Sequence, residues 1–367
     1  MLRRILYVYI VPAAVFSSVV MGGGYGTGRE VVEFFTRFGL LGGLFGAGIA
    51  TFTFVLVLTC TYEFARFFQL YDYRSFFKQL IGPFWICFEI LYVLLFFLVI
   101  GVVSSAAGKM LEQEFLISSY FGEVGVLALI IILVFFGRNT LEKVLTFWSI
   151  GMYVIFGCYF VEIFFRAETD IMQLISIDKI ESGWFKGGVL YAMYNLAIAP
   201  VLLFSIRAIK TRKEAILSGV IAGVTVMIPA VLFHMSYAAG YPEVIQQSVP
   251  NYWMISKYSS ELFLVLFLVA LLGTFVQTGA GLVQGIVERI EKMLNPDSND
   301  HLSRAKRATI AFIALIIGGI LGSLGIVTII SKGYSALSVG FALVYIIPIC
   351  TLGLVKIFYP SALSKLN

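Results

Sequence analysis

Hydrophobic runs recur along this chain, parted by short breaks rich in charge, glycine or proline. A helix needs about 20 mostly apolar residues to cross the hydrocarbon core of a bilayer, and these runs have that length. The breaks predict ten spans, at residues 5–36, 40–67, 83–108, 122–137, 140–165, 184–208, 213–238, 259–291, 305–323 and 334–357. Two stretches between them, 70–81 and 242–257, read as short amphipathic pieces outside the spans.

Ten spans divide as five plus five. Residues 1–166 form a first five-helix repeat, 167–183 an extracellular connection, 184–358 a second repeat and 359–367 a cytoplasmic tail. An odd number of spans per repeat inverts the second half in the membrane. Glycines at 22–28 interrupt the first span, and "YNLAIAP" (Tyr194 to Pro200) interrupts the sixth. Interrupted spans in corresponding positions of two halves point to an inverted-repeat transporter, with its binding site at the breaks.

Composition agrees with the pattern. Sixty percent of the 367 residues are apolar and 13% charged, with a mean hydropathy of +0.95. A soluble protein of this size cannot hide so much hydrocarbon, so a row of soluble domains is not expected. The start, "MLRRILYVYIVPAAVFSSVV", has the look of a signal peptide, but no clear small-residue cleavage site follows; we read it as a retained first span. Cys60, Cys87, Cys158 and Cys350 fall in apolar runs without CxxC spacing and read as small buried hydrophobes. With the N-terminus inside, the cytoplasmic ends and loops hold 18 of the 26 basic residues and the outer side 8, which sets both termini in the cytoplasm. That bias, facing anionic lipid, accounts for the net charge of +5 without a nucleic-acid partner. We expect the inner, cytoplasmic membrane of a bacterium.

The first break, "MGGGYGTGREVVEFF" from Met21 to Phe35, places five glycines within seven residues and follows them with Arg29 and Glu30. Glycine lets the backbone leave helical geometry and approach a ligand closely. Freed N–H and C=O groups in hydrocarbon cost several kcal/mol each unless protein, ion or substrate satisfies them. Such a run therefore belongs where it lines an enclosed cavity, with the half-helix ending near Met21 aiming carbonyls at a cation. The half-helix starting near Thr27 would aim N–H groups at an anion. Close helix packing through small residues is the competing reading. Gly22, Gly23 and Gly24 face all round, however, whereas packing keeps glycines on one face.

The segment "GGGYGTGREVVEFF" resembles the signature of the bacterial YkvI-type membrane proteins. These belong to the amino acid–polyamine–organocation superfamily, which shares the LeuT fold, and the ten-span layout extends the resemblance over nearly the whole chain. It implies an all-α membrane protein with a LeuT-like five-plus-five inverted repeat and broken helices 1 and 6. Arg29 then matches an arginine on the extracellular half of helix 1. Glu63, in "YEFARFF", matches a carboxylate that accepts hydrogen bonds from the broken backbones; an ion pair with Arg66 is the rival for it. In "ALLGTFVQTGAGLVQGIVERIE", Thr274 aligns with a sodium-ligating hydroxyl, and Ala270 and Gly273 lie at or beside its carbonyl ligands. Ser18 and Met21 supply the other carbonyls. Five hard oxygens suit an alkali cation. The pattern's acid on helix 10 is missing from "YSALSVGFALVYIIP". That leaves Arg29 to pair with Glu30 or Glu33, or to bind an anionic substrate. Sodium-independent relatives carry a lysine midway along helix 5; Lys143 lies at the cytoplasmic end instead, which tilts the expectation to sodium, with a proton as the other option.

Besides Gly23, Gly24, Tyr25, Gly26 and Arg29, the expected substrate contacts are Tyr191 and Tyr194 as lids, with Asn195, Phe275 and Thr278. Glu89, Glu142 and Glu162 near helix ends read as interfacial, and His234 as structural. No Walker motif, Ser–His–Asp set or metal-hydrolase spacing occurs, and there are two histidines, so an enzyme is not expected. The reading is a secondary transporter for a small anionic or zwitterionic solute, such as an amino acid or other small carboxylate. Spans 1, 2, 6 and 7 would rock against 3, 4, 8 and 9, with 5 and 10 as gates. A ligand-sensing membrane subunit of the spore-germinant-receptor type is the alternative on the same fold, and a passive channel stands third.

Overall fold

A computed structural model describes residues 2–136, 138–166, 179–294 and 303–359, and all regular structure in them is helical. The connection expected at 167–183 is described only from Lys179, and the tail expected at 359–367 only at Tyr359. The side chains of Glu142 and Lys143 lie outside the described ones.

Span 1 is Leu6–Val20 followed by the short helices Gly23–Thr27 and Arg29–Phe34. Spans 2 to 5 are Leu40–Phe68, Trp85–Phe115, Ser119–Phe136 and Arg138–Arg166. Span 6 is Trp184–Leu196 and Ala199–Ile206, bent by 58° between them. Spans 7 to 10 are Arg212–Gly240, Glu261–Glu291, Arg304–Gly322 and Ile326–Phe358. Each half thus opens with a broken span. Between spans 2 and 3 lies Tyr73–Ile81, started by the Asp72 carboxylate accepting the Ser75 N–H at 2.9 Å. It buries Phe76, Phe77 and Leu80. Between spans 7 and 8 lies Pro250–Tyr258. The first sits within the stretch 70–81 expected from the sequence, and the second overruns the stretch 242–257 by one residue.

Lipid tails give helices no hydrophobic drive to associate, so the spans meet through small residues that let backbones close up. Span 2 packs along spans 6 and 7, with Gly188 against the Gly46 carbonyl and Gly219 against Thr59. Span 3 packs along spans 4 and 9, where Gly101 meets Gly318 and Gly322. Span 8 lies on spans 4 and 5. Two packed groups result, one built on span 2 and the other on span 3. Their outer faces carry exposed apolar side chains such as Phe52, Ile90, Val161, Val265, Ile320 and Leu343, as a lipid-facing surface requires. The four cysteines are free.

Candidate functional site

The first helix of span 1 ends at Val20, where Met21 donates its N–H to the Ser17 carbonyl at 2.8 Å. Gly22 turns the chain out of helical geometry at ψ −145°. One helical turn, Gly23–Thr27, follows, and then a second break at Gly28. The glycine run is therefore two breaks with a turn between them rather than one unwound stretch. Gly28 has φ +77°, and a Cβ there would collide with the Tyr237 hydroxyl. That hydroxyl donates to Asn251 Oδ1 at 2.5 Å, while Asn251 Nδ2 donates to the carbonyls of Tyr25 and Gly26 at 2.7 and 3.1 Å. Carbonyls freed by the break are thus satisfied from Pro250–Tyr258, as burial in hydrocarbon demands.

A cavity of about 370 Å³ lies where the two broken spans meet spans 3, 5, 8 and 10. Ser18, Met21, Gly24, Tyr194, Asn195, Thr274 and Thr278, all expected from the sequence, line it. Gly23 begins the helical turn between two lining glycines, Gly22 and Gly24. The other expected residues lie outside the lining. Tyr191 donates to the Tyr25 hydroxyl at 2.5 Å, which in turn donates to the Val226 carbonyl at 3.3 Å. Both tyrosines are fully buried in an aromatic plug with Phe34, Phe35 and Phe233. Gly26 packs on Leu271, and Phe275 is core.

Three of the expected groups are held by protein partners. Arg29 does not reach the cavity. Its guanidinium pairs with Glu33 at 2.9 Å and donates to the carbonyls of Ile245 and Gln247 at 2.7 and 3.0 Å. Glu33 also holds Arg37. Of the two acids offered by the sequence, the pairing falls to Glu33, because helical periodicity stacks residues 29 and 33 on one face, and Arg37 joins from the turn Thr36–Phe38 that follows.

Two residues of the expected sodium set, Ala270 and Thr274, are hydrogen-bonded to each other. The Ala270 carbonyl, within the helix Glu261–Leu294, also accepts the Thr274 hydroxyl at 2.9 Å and the Trp148 indole N–H at 3.1 Å. The indole lies where a Cβ on Gly273 would fall. Ser18 donates its hydroxyl to the Val15 carbonyl at 2.9 Å. Glu63 accepts from Arg66 on both oxygens, at 2.7 and 2.8 Å, with Arg212 at 3.9 Å, which is the ion pair offered as the rival to its support of the helix breaks.

Sequence reasoning missed Glu30 as a cavity residue. It is 5% exposed, lines the cavity and accepts the Tyr194 hydroxyl. One residue on from Arg29, it is turned about 100° around the helix from the Arg29–Glu33–Arg37 face, a signal that the sequence did contain. Tyr334 and Gln277 were missed too; nothing in their local sequence marks them. His234 is structural as expected, linking Thr36 Oγ1 at 2.9 Å to the Leu40 carbonyl at 2.7 Å.

Comparison with known proteins adds the following. No family model matches the chain. It is similar to the uncharacterized membrane protein YkvI of Bacillus subtilis (strain 168), at 23% identity over 311 residues, or 83% of this chain and 87% of that protein. Among solved structures it resembles the manganese transporter of Eremococcus coleocola, with a TM-score of 0.59 and 16% identity over 94% of this chain and 78% of that one. The same transporter in complex with an aromatic bis-isothiourea substituted compound gives 0.58 over the same shares. These likenesses, together with the spans and the paired breaks, establish a multi-pass membrane protein with a LeuT-like fold.

Proposed function

We propose that the protein is a secondary transporter that moves a small organic solute by alternating access. The observation that carries this reading is the cavity at the junction of the two broken spans, closed at one end by a layered seal. Its lining extends from the breaks to Tyr92 and Leu95 in span 3, Val201 and Leu202 in span 6, and Gly281 and Leu282 in span 8. With the termini cytoplasmic, these are inner halves. The seal on the outer side consists of the Arg29–Glu33–Arg37 pairs, the Asn251 bridge and the aromatic plug. The conformation is therefore inward-facing.

The volume suits a ligand of amino-acid size. The polar lining from Asn195, Thr274, Gln277 and Thr278, set against Val99, Val103 and Phe156, suits one of mixed polarity. Amino acids and their relatives remain the first class to try, though not through a carboxylate held by Arg29. Thr274 keeps sodium coupling in view, and the Trp148 indole on the Ala270 carbonyl keeps a proton as the other option.

Accessibility tests this directly. Thr278→Cys, in a background lacking the four native cysteines, should react with an impermeant thiol reagent from the cytoplasmic face. Adding Arg29→Gln, which loosens the outer seal, should open it to reagent from outside. A cavity reached from one face in both proteins would refute alternating access.

A further inference from the structure

We infer that Glu30 is the charged anchor of this cavity and that the solute it takes carries an ammonium head; the solute's passage rests on the transport reading, its binding does not. Among the described residues, Glu30 is the one acidic or basic side chain lining the cavity. Arg29 beside it is spent on Glu33 and two loop carbonyls, and no described ion pair includes Glu30. A buried carboxylate without a counter-charge is strongly unfavourable, and a cationic ligand removes that penalty.

The carboxylate is also a built feature. It lies against Gly24, where a Cβ would collide with Oε1, and it takes the Tyr194 hydroxyl on Oε2. Backbone and hydroxyl thereby hold it at the break. The aromatic walls agree: the Tyr194 and Tyr334 rings both line the cavity with centroids 4.7 Å apart, beside Phe96 and Phe156. Aromatic walls accommodate a cation and offer a carboxylate no hydrogen-bond donor but the tyrosine hydroxyls. The competing account is a first-turn carboxylate that favours the dipole of Arg29–Phe34. It does not explain why Glu30 faces the cavity, or why its described hydrogen bond comes from a tyrosine on span 6 and not from the helix N–H groups.

The test uses matched head groups on the wild-type full chain in detergent. Small aliphatic amino acids are compared with the amines left by removing their carboxylate and with the acids left by removing their amino group. Thermal shift should show stabilisation by the amines and amino acids and none by the acids. Glu30→Gln, checked by size exclusion for an intact fold, should weaken amine binding by about tenfold or more, as expected for loss of a charged hydrogen-bond partner. Stabilisation by the acids alone, no stabilisation by any amine, or an unchanged amine response in Glu30→Gln each overturns the inference. The wild-type comparison decides even if the variant misfolds. Flux of each binding compound into proteoliposomes separates the two claims. Acids that cross while amines fail to bind leave transport standing without the ammonium anchor. Amines that bind without crossing leave the anchor standing without transport.

Discussion

Side-chain roles divide by whether a residue's partner lies near in sequence. The Arg29–Glu33–Arg37 ladder was open to inspection as i,i+4 spacing, and once it is granted, Glu30 is left for the cavity. The carbonyls of Ile245 and Gln247 that complete the Arg29 seat lie more than 200 residues away, and no local pattern announces them. The same holds for Trp148. On span 5 it reads as one more aromatic in an apolar run, yet it puts an N–H on the Ala270 carbonyl where the family pattern suggests a cation. If the indole keeps that carbonyl from a cation, sodium and potassium should stabilise the wild-type protein equally. Trp148→Phe keeps much of the ring and loses the donor, which should cost about 1 kcal/mol, read as a modest fall in melting temperature. Stabilisation of the wild type by sodium over potassium would contradict this account of the site.

Elements were more legible than side chains, because spans and breaks are written in composition. Apolar run length gave the spans, and the glycines of 22–28 and the "YNLAIAP" stretch gave both interruptions. The form of the first break was not legible, since a run of glycines permits many backbone paths. Gly23–Thr27 is held as a turn by Asn251 and Tyr237, which come from far along the chain. Substitution of two glycines separates freedom from necessity. Gly28→Ala forces a side chain into a left-handed backbone, costing about 1–2 kcal/mol, and into the Tyr237 hydroxyl as well. Gly48, within span 2, has open space where a Cβ would go. Alanine there should be neutral or stabilising by up to about 1 kcal/mol. Thermal denaturation of the two variants should show a large loss for Gly28→Ala alone; comparable losses would mean that the second break tolerates a side chain.

At the scale of the molecule, the packing falls into two groups, and the proposed rocking would move one against the other. Spans 2, 6 and 7 associate, and so do spans 3, 4 and 9, with span 8 lying on 4 and 5. The cavity sits between these groups, bounded by both broken spans. The LeuT-like resemblance implied such a division but not which way the cavity faces, because that depends on which seal is formed. Counterflow in liposomes tests the central claim most directly, since it needs no knowledge of the coupling ion. Vesicles holding the purified protein are loaded with a compound that binds it, and the same compound, labelled, is supplied outside. The account predicts a transient accumulation of label that depends on the internal load and vanishes in Thr278→Trp, where the new side chain fills the cavity. A compound that binds the wild-type protein but whose label never enters the loaded vesicles would contradict it.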